Sequence, residues 1–369
     1  MAQSSPSGTP TDQAPAIVEH PEEEVSTTSP LVADSGSSTS SNDEPATFSI
    51  DESMEDYPQH YGRTYHKYKA GSYLFPNDAQ EIERMDLQFR LIRFAYQDNL
   101  FLAPVQNPSH VLDIGTGTGI WPISLSDHVF PNAQITGIDL SPIQPREVPP
   151  NVVFEQQDCS EADWCRPLDS FDFVFCQSLL GSLKDYQQML ITARKYITPG
   201  TGWIECCEID NVPWCDDNTM PSNWPLRAWS EWMVSAAAQA GRPIRIAPSV
   251  KRWMESAGYV DVHEVIVKLP VGTWPRLQSL KTLGRHFQTL VHDSLAASCY
   301  KLFSEVLQWS RNDIELFLAS VRECLQDCKK VHSYYRCYTV YGRKPFAEEE
   351  RAMNRMGPPP RPKKRGDPR

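Results

Sequence analysis

The chain has 369 residues, 40% of them hydrophobic, and a formal net charge of −12. This apolar content is sufficient for a sizeable buried core. No amino-terminal hydrophobic run indicates a secretory signal, and no stretch approaches the roughly 18 apolar residues of a membrane span. Beyond residue 56 acids and bases balance, which argues against a nucleic-acid binder. The composition therefore favours an intracellular protein, cytoplasmic or nuclear.

The two ends of the chain differ in composition from its body. Residues 1–56 contain 12 Asp or Glu and no Lys or Arg, and we expect this acidic, Ser/Thr/Pro-rich tail to be disordered. Residues 346–369 form a second tail, basic and Pro-rich at 357–365, which is either a nuclear import signal or a solvated terminus. The 10 Cys contain no Cys-x-x-Cys pair, so we predict neither a disulfide framework nor a metal site.

Residues 57–110 are predicted to form a cover segment and a helix. The part before residue 76 is rich in Tyr and basic residues and has no clear period. Asn77 and Asp78 are typical helix caps. The apolar positions that follow recur at helical spacing: Ile82, Met85, Phe89 and Ile92.

The stretch from residue 111 to 121 is the most informative part of the chain. An apolar run containing Asp113 is followed by Gly115, Gly117 and Gly119 at alternate positions. This order predicts a strand, a tight loop and the start of a helix. Glycine lets a ligand lie against the backbone, and the first N–H groups of a helix are free to bind it. The pattern is typical of a site for a nucleotide-like cofactor.

The spacing of these glycines decides between two cofactors. The dinucleotide fingerprint G-x-G-x-x-G needs a third glycine where Ile120 stands. Asp113 would repel a pyrophosphate, but its carboxylate accepts a hydrogen bond from an ammonium group such as that of S-adenosyl-L-methionine (SAM). NAD is therefore the weaker alternative.

Three further strands follow, and acids end two of them. Asp139 closes a strand about twenty residues beyond the glycines, where an acid can accept hydrogen bonds from ribose hydroxyls. Asp158 follows a third strand, and Gln177 ends a fourth that starts at Phe171. A single acid at such a position is more often a helix cap or turn residue. In combination with the glycine loop, these side chains predict one ligand rim.

Alternating strands and helices continue to residue 209 and predict a parallel sheet. Two long helices in a segment at about 278–330 are expected to cover the substrate side. The later elements are predicted as helices at 224–240 and 249–257, a strand at 260–269, helices at 278–297 and 312–328, and a last strand at 334–341.

Taken together, these features resemble the class I SAM-dependent methyltransferases, and more closely the LaeA-like methyltransferases of filamentous fungi, named for a regulator of secondary metabolism. The glycine loop is common to the class, whereas Ile143-Gln144-Pro145 and Glu208-Ile209-Asp210 are specific to this branch. The resemblance covers about residues 57–345. It also rests on the segments at 61–66, 73–78, 84–86, 181–182, 257–259 and 342–345.

The resemblance implies an α/β fold with a seven-stranded, mostly parallel, Rossmann-like sheet, helices on both faces and a helical cover. The methyltransferase domain would span 111–345, with the last strand as an antiparallel edge strand and with Tyr65 over the cofactor. The chain departs from its relatives at Cys159, where they usually carry an aromatic residue, and at Gln88 and Phe89, where they often carry His. The implied SAM-binding residues are Tyr73, Asp113, Gly115, Thr116, Gly117, Gly119, Asp139, Leu140, Asp158, Cys159 and Gln177.

No general base is obligatory for methyl transfer, because positioning supplies most of the acceleration. If the acceptor is a hydroxyl or an amine, a base within hydrogen-bond reach helps. The candidates are Glu205 and Glu208 on the fifth strand and His286 and His292 in the predicted cover. A helical His is more often a surface residue, and a strand acid is often structural.

Two functions of different class remain open. The first is an active SAM-dependent methyltransferase that acts on a small secondary metabolite or a protein, and the intact loop and acids favour it. The second, implied by the resemblance, is a nuclear regulator that acts through velvet-type protein partners, with SAM binding or self-methylation only. An NAD-dependent oxidoreductase is disfavoured by the glycine spacing.

Overall fold

The computed structural model describes residues 59–60, 62–65 and 75–356 of the chain. Two short strands, β1 (Gln59–His60) and β2 (Arg63–Thr64), pair antiparallel ahead of helix α1 (Ala79–Ala95). Asp78 caps α1, because its carboxylate accepts a hydrogen bond from the Glu81 backbone N–H at 3.1 Å. The same carboxylate forms an ion pair with Arg63, which attaches the two-stranded unit to the helix. The predicted cap is therefore confirmed.

A seven-stranded sheet forms the centre of the fold and confirms the predicted mostly parallel α/β architecture. Its order is β5-β4-β3-β6-β7-β9-β8, and β9 runs in the opposite direction to the other six strands of this sheet. The strands are β3 (His110–Ile114), β4 (Gln134–Asp139), β5 (Val152–Gln156), β6 (Phe173–Gln177), β7 (Trp203–Cys215), β8 (Val260–Pro270) and β9 (Ser333–Arg343).

The expected position of the last strand was wrong. β9 is antiparallel as expected, but it lies between β7 and β8, and β8 is the edge strand. The burial of the two strands gives the physical reason. Nearly every position of β9 is buried on one face of the sheet or the other, whereas β8 alternates between half-buried and exposed positions over most of its length. A strand buried on both faces belongs in the interior of a sheet.

Helices pack on both faces of this sheet. α1, α4, α6 and α7 share one core with the inner positions of β7 and β9, and α3 and α5 share a second core on the opposite face. The helices after α1 are α2 (Ile120–His128), α3 (Tyr186–Tyr196), α4 (Pro225–Gln239), α5 (Val250–Ser256), α6 (Gln278–Lys301), α7 (Arg311–Gln326) and α8 (Ala347–Met356). In the described part of the chain, no helix has both the length and the apolarity to cross a bilayer.

Helix α6 belongs to the predicted helical cover, whereas helix α8 was not predicted from the sequence. α6 packs against α1, so the predicted helical cover contacts the helix that precedes the first long strand. α8 had no counterpart in the predictions, because its composition is that of a solvated tail. Ion pairs attach it to the body of the chain, from Arg343 to Glu349 at 3.0 Å and from Arg194 to Glu350 at 2.7 Å.

Candidate active site

A cleft opens where β3, β4 and β6 end, and it brings together most of the predicted cofactor residues. Parallel strands present their carboxyl ends at one edge of a sheet, which is where α/β proteins bind ligands. Tyr73 lies outside the described residues. The predicted residues that line the cleft are Asp113, Gly115, Thr116, Gly117, Asp139, Leu140, Asp158, Cys159 and Gln177.

The glycine loop takes the conformation that its sequence predicts. Gly117 has φ of +55°, its N–H donates to Asp139 Oδ2 at 2.9 Å, and a Cβ there would lie 3.7 Å from Met85 Sδ inside the cleft. Gly119 is not among the lining residues. It has φ of +78° at the start of α2, and a Cβ there would lie 2.4 Å from the Phe154 ring. Gly117 therefore lines the cleft in a backbone conformation that favours glycine, whereas Gly119 is also needed for packing.

Two side chains outside the loop hold it in place. The Thr118 hydroxyl donates to Asp86 Oδ1 of α1 at 2.7 Å. Gln144 donates from Nε2 to the Gly117 carbonyl at 2.6 Å and to the Ser141 carbonyl at 2.9 Å. The sequence marked Gln144 as part of a branch-specific segment without giving it a role. The structure shows that it fixes the loop against the segment after β4.

Burial controls the charge of the two acids nearest the loop. Asp113 is 3% exposed, and burial raises its pKa to about 7, with a smaller contribution from the charge of Asp139. Burial likewise raises the pKa of Asp139, although its oxygens accept hydrogen bonds from the Gly117 and Ser141 N–H groups. In the described residues, neither acid forms an ion pair with a basic side chain.

The lining of the cleft favours a cationic ligand over a phosphate. Among the described residues, the lining contains three carboxylates, those of Asp113, Asp139 and Asp158, and one basic side chain, that of Arg84. Arg84 forms an ion pair with Glu81 at 2.8 Å, so its charge is already compensated. A carboxylate held away from water without a cation is costly, and an ammonium or sulfonium group would compensate Asp113 and Asp139. The residues present therefore fit SAM, and they do not fit a pyrophosphate.

The distal end of the cleft is formed by Asp158 and Cys159. Asp158 accepts hydrogen bonds from the backbone N–H of Ser160 at 2.8 Å and from its hydroxyl at 2.6 Å, which fixes the carboxylate at the rim. Burial raises the pKa of the Cys159 thiol to about 12. This thiol is neutral at physiological pH and forms an apolar part of the wall.

The two strand acids considered as general bases lie behind the cleft. Glu208 is fully buried and accepts hydrogen bonds from the Leu179 N–H at 2.9 Å and the Tyr186 hydroxyl at 3.2 Å. Glu205 accepts from the Leu102 and Ala103 N–H groups at 2.7 and 2.6 Å. Burial raises the pKa of Glu208 to about 8 and that of Glu205 to about 7. Neither lines the cleft, so both position backbone rather than contact a ligand.

Three further side chains are not where their suggested roles require them. His286 and His292 are exposed on α6 and absent from the cleft lining, and His292 contacts its neighbour Asp293 at 3.0 Å. Tyr65 is buried beneath the Lys301 ammonium, 5.0 Å from the ring centre, and does not line the cleft. The way α6 packs on its neighbours leaves both histidines exposed to solvent, and the sequence alone does not show this packing.

Several residues of the cleft were not predicted from the sequence. Met85 and Gln88 reach it from α1, and Ser178 and Leu179 follow β6. Met85 belongs to a family-matching segment, and Gln88 occupies a position where relatives often carry His. Ser178 has φ of +61°, a conformation that non-glycine residues rarely adopt and that is common at functional sites.

Comparisons with known proteins agree with this geometry. A family model described as a methyltransferase domain matches residues 88–264. The secondary metabolism regulator LAE1 of Cochliobolus heterostrophus is 33% identical over 77% of this chain and 94% of its own length. Methyltransferase pytC of Aspergillus terreus is 35% identical over 81% of this chain and 91% of its own. The protein-methionine methyltransferase laeA of Emericella nidulans is 30% identical over 81% and 79%.

A mostly parallel sheet with β9 inserted antiparallel, a glycine loop after its first long strand and an anionic cleft define a class I methyltransferase. The methyl donor of this class is SAM. Within the class, the chain belongs to the LaeA-like family of fungal methyltransferases, which includes both secondary metabolism regulators and a protein named simply as a methyltransferase.

Proposed function

We propose that this chain transfers a methyl group from SAM to a small metabolite or a protein in fungal secondary metabolism. The observation that carries the proposal is the pair of acids, buried Asp113 and half-buried Asp139, beside a glycine loop that lines the cleft at Gly117. Asp113 would bind the ammonium group of the methionine part, Asp139 the ribose hydroxyls, and Asp158 with Cys159 the adenine end. Gly115, Thr116, Leu140 and Gln177 would complete the lining.

The chain's own contribution to the reaction is orientation and exclusion of water. SAM, when bound, supplies a methyl group that its sulfonium sulfur activates: the acceptor's lone pair forms the new bond to the methyl carbon, and the sulfur keeps the electron pair of the bond that breaks. Gln144 and Asp86 hold the loop, and Glu208 holds Leu179 at the opposite wall. Rigid walls of this kind supply acceleration by alignment, and no side chain is assigned as a base.

The test is incubation of the purified protein with methyl-labelled SAM, alone and with fungal extract. We expect label on an extractable metabolite or on an added protein. Gly117→Asp should abolish labelling, because its side chain would enter the cleft at φ of +55° and place a carboxylate against the ligand. Labelling that persists in Gly117→Asp would contradict the assignment of this loop.

A second candidate function is that of a regulator that methylates itself and acts through velvet-type partners in the nucleus. The Emericella relative is named as a protein-methionine methyltransferase. Met85 supports this candidate, because its thioether lies in the cleft beside Gly117. Labelling confined to the protein, and mapped by peptide mass spectrometry to Met85, would favour the regulator. Label on other molecules in a Met85→Leu variant would favour the tailoring enzyme.

A further inference from the structure

A second cavity lies next to the cofactor cleft, beneath helix α6. It lies between α1, the start of α4, α6 and the strands β7 and β9, and its volume is about 100 Å³. Arg84, Gln88 and Ser178 line both this cavity and the cofactor cleft. The two spaces are thus neighbours that share one wall.

The shared wall is a chain of hydrogen bonds between α1 and the end of β6. Arg84 donates from Nη1 to Gln88 Oε1 at 2.7 Å, and Gln88 donates from Nε2 to Ser178 Oγ at 2.5 Å. We call Arg84, Gln88 and Ser178 the bridge. Ser178 is held in its positive-φ conformation by a hydrogen bond from its N–H to the Cys207 carbonyl at 3.0 Å. A molecule in the second cavity that contacts the bridge contacts side chains that also line the cofactor cleft.

The remaining lining is apolar with a few neutral polar groups. Trp229, Phe287, Leu290 and Tyr335 are buried apolar or aromatic walls. Asn211, Ser294 and Ser298 supply the neutral polar groups. Among the described residues, the charged lining residues are Glu81 and Arg84, which pair with each other at 2.8 Å. A charged ligand would therefore lose its hydration without gaining an ion-pair partner.

We propose that this second cavity is the acceptor site and that it takes an uncharged, largely aromatic small molecule whose hydroxyl or amine bonds to the bridge. The proposal rests on the proposed function, since it assigns the acceptor of that methyl transfer. The aromatic walls match a flat apolar ring system, and Gln88 and Ser178 present the hydrogen-bonding groups where the two spaces meet.

The test uses the full chain saturated with S-adenosylhomocysteine and four probes in two matched pairs. 2-Naphthol and indole are uncharged, and 2-naphthoate and indole-3-carboxylate are their anionic counterparts. Affinities are measured by ligand-observed NMR. We expect both neutral probes to bind at least tenfold more tightly than their anionic counterparts.

A variant that fills the cavity locates the binding. Ser294→Leu adds bulk on the face of α6 that lines the cavity, and Ser298→Leu is a second variant of the same kind one helical turn further. Thr289→Leu is the matched control, because Thr289 is exposed on the same helix and, like Ser294, bonds the carbonyl four residues earlier. We expect 2-naphthol to bind the two serine variants at least tenfold more weakly than it binds the parent. The control should bind it as tightly as the parent does, and the S-adenosylhomocysteine affinity should be unchanged in all three variants.

The outcomes separate this proposal from the proposed function. The acceptor assignment is overturned if no neutral probe binds, if the anions bind equally well, or if 2-naphthol binds both serine variants as tightly as the parent. Failure of the proposed function is read separately, as absence of S-adenosylhomocysteine binding by the parent chain.

Discussion

Two carboxylates determine which ligand the cleft can hold. Asp113 is buried and Asp139 is half-buried, and their burial raises the pKa of both. Ionising such groups without a partner is costly, so a ligand that brings positive charge is selected over one that brings phosphate. The sequence predicts this selection from Asp113 alone, since its position before the glycines is fixed by the chain.

A consequence is that ligand affinity should depend on pH through Asp113. Its pKa of about 7 in the free protein leaves the group mostly protonated at pH 5.5 and mostly ionised at pH 8. An ammonium group binds the ionised form, so the affinity for S-adenosylhomocysteine should rise about 25-fold between pH 5.5 and pH 7.5. Isothermal titration calorimetry at both pH values measures this change.

Asp113→Asn should weaken binding at pH 7.5 by about tenfold or more and remove most of this pH dependence. Asp127→Asn, an exposed acid on α2, is the control and should behave as the parent. An unchanged pH profile in Asp113→Asn would show that another group titrates.

The glycine loop depends on elements that are distant in sequence. Asp86 of α1 accepts from Thr118, and Gln144 after β4 donates to the Gly117 carbonyl, so the loop is held from two sides. A loop of alternating glycines has a high conformational entropy when it is not restrained. These contacts therefore fix the loop in its ligand-binding shape before the ligand arrives.

Gln144→Leu should accordingly weaken S-adenosylhomocysteine binding about fivefold to tenfold with little loss of stability, because the half-buried side chain loses its hydrogen bonds to the Gly117 carbonyl of the loop and to the Ser141 carbonyl after β4. The measurement is calorimetric affinity together with the melting temperature. Gln80→Leu, exposed on α1, is the control. Full affinity in Gln144→Leu would mean that the glycine backbone and Asp86 suffice.

Strand β7 carries Glu208, whose buried carboxyl makes stability dependent on pH. Its pKa is about 8 in the folded chain and 4.5 as the ordinary value. An acid whose pKa is raised in the folded state contributes fully to the free energy of unfolding at pH values below its unfolded-state pKa. This contribution is lost as the pH rises through the folded-state pKa, at about 1.4 kcal/mol for each unit by which the two pKa values differ. The free energy of unfolding should therefore fall between about pH 5 and pH 8.

Glu208→Gln should flatten this decline, since the amide does not ionise. Urea unfolding at pH 5.5, 7 and 8.5 gives the slope. Glu255→Gln, exposed on α5, should keep the parent slope. Asp113 and Glu205 also have raised pKa values and add to the decline, so some slope should remain in Glu208→Gln. Equal slopes in Glu208→Gln and the parent would contradict the contribution of Glu208.

The succession of strands and helices along the chain up to β7 and the place of the cofactor cleft could be predicted, because both depend on local pattern. The run 111–121 fixes a strand, a loop and a helix, and parallel connection brings Asp139 and Gln177 to the same edge. The place of β9 could not be predicted in this way. Its pairing with β7 and β8 joins residues more than 60 positions apart, and the last strand of a chain is not necessarily an edge.

The second cavity and the roles of individual side chains could not be predicted from sequence patterns either. Gln88 on α1 meets Ser178 after β6 across 90 residues of sequence, and neither position has a distinctive spacing. His286 and His292 were considered for their chemistry alone, and the packing of α6 decides that both face outward. Residues whose role depends on tertiary contact are visible only once the helices are placed on the sheet.

The most direct measurement is isothermal titration of the full chain with S-adenosylhomocysteine, alongside Gly117→Asp and NADH. We predict one binding site in the parent, no detectable binding in Gly117→Asp, whose new carboxylate enters the cleft, and no heat from NADH. Absence of heat with S-adenosylhomocysteine in a folded parent chain, or equal binding by Gly117→Asp, would contradict the assignment of the glycine loop and its acids as a SAM site.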